Sequence, residues 1–112
     1  MQPETPKLLY DVLSAIEEVQ SFLQGCDRER FLHDRLLQVA VERELEIMGE
    51  ALNRLSREDE ETYLMIEDGP KVIGLRNVLA HGYDVVDYRI IWETVQNDLA
   101  PLRTQIRNLL KP

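Results

Sequence analysis

The chain has 112 residues, a net charge of −8 from 13 basic and 21 acidic side chains, and one cysteine. That length predicts a single domain over 1–112 with a core of its own, and the lone Cys26 excludes an intrachain disulfide framework. No apolar run approaches the ~20 residues needed to cross a bilayer, and Met1-Gln2-Pro3-Glu4 lacks the basic and apolar regions of a secretory signal, so a cytoplasmic protein is expected.

Apolar spacing predicts helix throughout. Leu8, Leu9, Val12, Leu13, Ile16, Val19, Phe22 and Leu23 recur in steps of three and four, one stripe of a first helix over about 6–24. Thr5 is expected as its N-cap, Pro6 stands at the first helical position, and Gly25 follows its end. Asp27 then caps a second helix over about 28–54. Its first stripe runs Leu32, Leu36, Val39, Ala40, Ile47, Ala51; its second runs Leu37, Val41, Leu45, Met48, Leu52, Leu55. Two adjacent stripes predict packing against more than one neighbour. Inside this helix Gly49 is costly, by ~1 kcal/mol relative to alanine, which points to a close helix–helix approach with Glu50 exposed or paired.

An acidic stretch from Ser56 to Glu61 and the turn signal Asp68-Gly69-Pro70 frame a connection with room for one short helix. A third main helix over about 71–81 ends before Gly82. Asp87 is the expected cap of a fourth, striped by Ile91, Val95, Leu99, Leu102, Ile106 and Leu109, in which Pro101 should kink or split the run. The expected architecture is an all-α antiparallel bundle of four to five helices.

Charge narrows the search for a site. Residues 1–70 hold 7 basic and 17 acidic side chains, whereas 71–112 hold 6 and 4, so an anionic ligand belongs in the C-terminal third. The two histidines, His33 and His81, lie far apart, no paired cysteines exist, and no glycine-rich phosphate loop is present; neither a metal nor a cofactor is expected. His33 reads as a solvated surface side chain. The dense stretch is Gly74 to Asp84, which carries Arg76, Asn77, His81 and Tyr83. Arginine is a permanent cation that grips phosphate oxygens in pairs, and histidine exchanges a proton near neutral pH. Asn77 and His81 are four apart and share a helix face, so the amide could orient the imidazole. Arg76 and His81 are five apart, about 140° around an ideal helix. They meet on one ligand only if the helix loosens near Gly82, or if two copies of the chain each contribute in a symmetric dimer. Spacing alone favours a simpler arrangement, in which cations complement the helix macrodipole and Gly82 is the C-cap.

Arg76, four residues, His81, one residue and Tyr83 resemble the signature of the HepT-like toxins, a branch of the HEPN superfamily. The likeness continues through Gly49-Glu50-Ala51, Gly74-Leu75-Arg76-Asn77, Ala80-His81-Gly82-Tyr83-Asp84, Asp87, Trp92-Glu93 and Asp98-Leu99-Ala100-Pro101-Leu102, and covers most of 27–110. It departs at Glu67-Asp68-Gly69-Pro70, where relatives often carry Pro and Trp. The resemblance implies a helical dimer with the motif in the dimer cleft, acting as a metal-independent ribonuclease toxin of a toxin–antitoxin pair. It maps Arg76 and His81 onto the catalytic pair, with Asn77 and Tyr83 supporting substrate. It also implies an MntA-like minimal nucleotidyltransferase partner that silences the toxin by adding AMP to Tyr83. The competing expectation is a non-catalytic helical subunit that binds a nucleotide or the nucleotidyltransferase.

Overall fold

The long central helix decides how the protein is built, because most of the other helices pack against it. The computed structural model describes residues 1–81 and 86–112. Among these the elements are α1 (Thr5–Phe22), α2 (Arg28–His33), α3 (Arg35–Glu58), α4 (Glu60–Tyr63), α5 (Gly69–His81) and α6 (Tyr88–Leu110), with no strand. The fold is all-α. α3 lies at the centre and packs against α1 and α5, while α6 packs against α1 and α2. The second stripe is the core side: Val41, Leu45, Met48, Leu52 and Leu55 are fully buried, alongside Leu9, Val12 and Ile16 of α1 and Leu99, Leu102 and Ile106 of α6. The first stripe is only partly covered, and Leu36 is 80% exposed. None of these helices is long and apolar enough to cross a membrane.

Two local readings change. The helix expected over 28–54 breaks at Asp34, whose backbone is extended and whose carboxylate accepts from the Leu37 amide at 3.1 Å, capping α3. Gln38 spans the break by donating to the Phe31 carbonyl at 2.9 Å, an acceptor that it shares with the Asp34 amide. This extra break makes six helices among the described residues. Thr5 does not cap α1, which begins at Thr5 with Glu4 at the N-cap position. α6 runs through Pro101 without splitting. Proline removes the donor that would reach the Asn97 carbonyl, and both residues sit on the exposed face, where water can replace it. The predicted caps at Asp27 and Asp87 are present, accepting from the Arg30 and Arg89 amides.

Thr5 is instead committed to a clasp. The buried Asp59 carboxylate accepts from the Thr5 hydroxyl at 2.6 Å, the Thr62 hydroxyl at 2.8 Å and the Gln2 and Thr62 amides, tying the start of α1 to the α3–α4 junction. The hydroxyl bonds from Thr5 and Thr62 hold its pKa below the ordinary carboxylate value. A depressed carboxyl pKa contributes stability above the unfolded value, near 3.8, which is lost as pH falls through that value toward the folded one. Asp59→Ala should lower the melting temperature at pH 7 by at least roughly 5 °C and flatten the acid limb of the stability curve. A melting curve superimposable on wild type from pH 3 to 7 would remove the clasp from the account.

Candidate functional site: a guanidinium in the α1–α3–α5 cleft

The close approach that Gly49 predicted is real, and its partner is Arg76. A Cβ placed on Gly49 would stand 2.2 Å from the Arg76 Cβ and 2.6 Å from its Cγ, so the arginine stem lies directly on the α3 backbone. This fixes where the side chain leaves α5. Its head then reaches Glu50, the next residue of α3: Arg76 Nη2 is 3.0 Å from Glu50 Oε2, while Arg76 Nη1 donates to Asn77 Oδ1 at 3.2 Å. Arg76 is one quarter exposed and Glu50 one half.

Together they line a cleft of about 280 Å³ between α1, α3 and α5. Leu8 and Asp11 of α1 form one wall. Arg43, Glu46, Ile47, Glu50, Ala51 and Arg54 of α3 form the floor, and Arg76 and Ala80 of α5 close it. Three guanidiniums face three carboxylates there, so the cleft is a balanced polar site. Beside it, a hollow between α1 and α3 holds Asp11, Glu18 and Glu44. Burial, then the hydrogen bond and charge of Glu18, push the Glu44 pKa up to about 7, against an opposing pull from Arg43. That acidic wall disfavours a polyanion at the hollow.

Of the residues singled out in the sequence, Arg76 and Asn77 are thus brought together. His81 is the last residue of α5, exposed, and does not line the cleft. α5 keeps its helical path from Arg76 to His81, so within one chain the two side chains leave the helix in different directions. The described partner of the Asn77 amide is Arg76, where the spacing argument had His81. Tyr83, like Gly82, lies outside the described residues. His33 is exposed on α2, as expected. Among the described residues no group of three or more His, Cys, Asp or Glu side chains is arranged to hold a metal ion.

Two contacts were not legible in the sequence. Glu50 and Arg76 are 26 positions apart, and nothing in their spacing joins them. Tyr88, at the start of α6, donates to Glu42 of α3 at 2.6 Å and accepts from Arg35, pinning the chain just beyond the α5–α6 connection. Burial, followed by the Glu42 bond, raises the Tyr88 pKa.

Comparison with known proteins gives these features a family. Residues 12–109 match the model of the ribonuclease HepT-like family. "Putative RNase MJ0125" of Methanocaldococcus jannaschii is 31% identical over 103 residues, covering 92% of this chain and 88% of its own length. "Putative RNase TTE0752" of Caldanaerobacter subterraneus subsp. tengcongensis is 34% identical over 109 residues, 96% of each chain. "Probable ribonuclease HepT" of Thermococcus cleftensis is 34% identical over 103 residues, 92% of this chain and 93% of its own. No solved structure matches the chain. The chain belongs to the HepT-like branch of the HEPN proteins, a membership that supports a ribonuclease function.

Proposed function

We propose that this protein is a metal-independent RNA endonuclease of the cytoplasm, the toxin of a toxin–antitoxin pair, with Arg76 and His81 as its catalytic residues. The observation that carries the reading is Arg76: its stem is fixed on Gly49, its head stands in a cleft, and its helix ends at His81.

RNA supplies its own nucleophile. The 2′-hydroxyl attacks the adjacent phosphorus, the P–O5′ bond breaks, and a 2′,3′-cyclic phosphate and a 5′-hydroxyl are left. The 2′-proton must be taken up and a proton delivered to the 5′-oxygen, both within the reach of an imidazole. Negative charge accumulates on the nonbridging oxygens, and a guanidinium answers it with two parallel hydrogen bonds. Asn77, already bonded to Arg76, supports the guanidinium or one phosphate oxygen.

Because one α5 directs Arg76 and His81 apart, the reading pairs the arginine of one copy with the histidine of the other in a homodimer. The exposed Val78, between the two on α5, is consistent with that face being covered. Tyr83, two residues beyond His81, is the residue an MntA-like nucleotidyltransferase would modify with AMP. A phosphate-bearing group there would add charge and bulk where RNA phosphate must sit.

Unmodified protein incubated with total cellular RNA and a chelator is expected to produce fragments with 2′,3′-cyclic phosphate ends. Tyr83→Phe should retain at least part of this activity while escaping silencing by the partner. RNA that stays intact would overturn the catalytic reading and favour a binding subunit; normal silencing of Tyr83→Phe would overturn control at that residue.

A further inference from the structure

We infer that Glu50 is a displaceable counter-ion of Arg76: it occupies the guanidinium in the free protein, gives way to RNA phosphate, and so sets the affinity of the site. The inference rests on the ribonuclease reading and adds a role for a residue outside the catalytic pair.

The two halves of Arg76 are held differently. The stem is trapped between helices, since Gly49 leaves no space beyond the Arg76 Cβ and Cγ, and that contact does not depend on charge. The head is held by a half-exposed carboxylate at 3.0 Å and by one neutral amide oxygen. An ion pair open to solvent contributes little net stability, because water competes for both charges. The carboxylate can therefore be exchanged for another anion at small cost, and a phosphodiester offers the fork-like geometry a guanidinium prefers. Exchange leaves Arg76 in place, because its stem is still clamped on Gly49. Substrate must nevertheless displace a charge before it binds, so part of the attraction of Arg76 for RNA is offset in advance. The balanced charges of the cleft fit such a site, in which affinity is restrained and the alignment of the cation is kept.

The test uses a 2′-O-methyl RNA twelve-mer, which cannot be cleaved because its nucleophiles are capped, and follows its binding by anisotropy at fixed salt. Glu50→Gln keeps size and hydrogen bonding and removes the charge; it should bind roughly two- to fivefold tighter than wild type. With cleavable RNA, KM should fall by the same factor while kcat stays within about twofold. Glu50→Asp, which restores the charge, should recover most of the wild-type affinity. In an Arg76→Ala background the Glu50→Gln gain should vanish, since the carboxylate then has no cation to mask. Unchanged or weaker binding by Glu50→Gln, or an equal gain in the Arg76→Ala background, overturns the counter-ion role while leaving the ribonuclease reading intact. Wild-type binding and cleavage by Arg76→Ala itself would overturn the site, and this inference with it. A melting temperature for Glu50→Gln close to wild type, expected for a half-exposed side chain, confirms that the fold is unchanged.

Discussion

Replacing His81 by alanine is expected to slow RNA cleavage in chelator by ~10²–10⁴-fold, the usual contribution of a positioned proton-transfer group. Arg76→Ala should cost ~10²–10³-fold, the scale for removing a donor aimed at developing negative charge. The variants should differ in a second way. Arg76→Ala loses affinity for uncleavable RNA because a phosphate grip is gone, whereas His81→Ala binds nearly as wild type and fails in the chemical step. His81 is exposed at the end of α5, so its removal should not unfold the protein. Cleavage by His81→Ala at the wild-type rate would remove the imidazole from the mechanism.

The second large effect concerns a residue with no side chain. Alanine in place of Gly49 should destabilise the protein, although alanine is the better helix former by ~1 kcal/mol. The added Cβ would meet the Arg76 Cβ at 2.2 Å and the Val72 carbonyl oxygen at 3.3 Å. The first of these atoms belongs to the root of a side chain and cannot swing away, so α5 must move off α3. Overpacking of this kind costs about 1–3 kcal/mol, and movement of α5 carries Arg76 out of position. Both stability and cleavage should fall together, and Gly49→Val should be worse than Gly49→Ala. Gly74 supplies the control: it lies within α5, exposed, with nothing within 4 Å of the place an added methyl would take. Gly74→Ala should stabilise by about 0.5–1 kcal/mol. Thermal unfolding of the two variants side by side reads the contrast, and a stabilised Gly49→Ala would show that α3 and α5 do not need to approach so closely.

Much of the fold was legible because helical periodicity records which face is buried. The Val41–Leu55 stripe proved to be the heart of the core, and Gly49 signalled a close approach through its cost alone. What the spacing could not supply was the identity of the neighbour. Arg76 comes from a different helix, and only tertiary packing brings it to Gly49 and Glu50. The break at Asp34 was hidden because Leu32 and Leu36 continue the apolar rhythm across it, yet Leu36 is left exposed once the chain turns. Thr5 was misread for a related reason. A threonine before a proline is a good cap, but its hydroxyl is spent on Asp59, 54 residues away. The same distinction holds at the site: the motif residues were visible as a cluster, whereas the direction each leaves α5 required the helix to be seen intact through His81.

That direction allows the two catalytic candidates to be tested as a pair. Arg76→Ala and His81→Ala proteins, each inactive alone, can be mixed, allowed to exchange subunits and assayed on RNA in chelator. If each site takes its guanidinium from one copy and its imidazole from the other, half of the dimers are mixed and each keeps one of two sites. The mixture should then regain about a quarter of wild-type activity. A mixture as silent as its components, with exchange verified, would contradict a site shared between two copies.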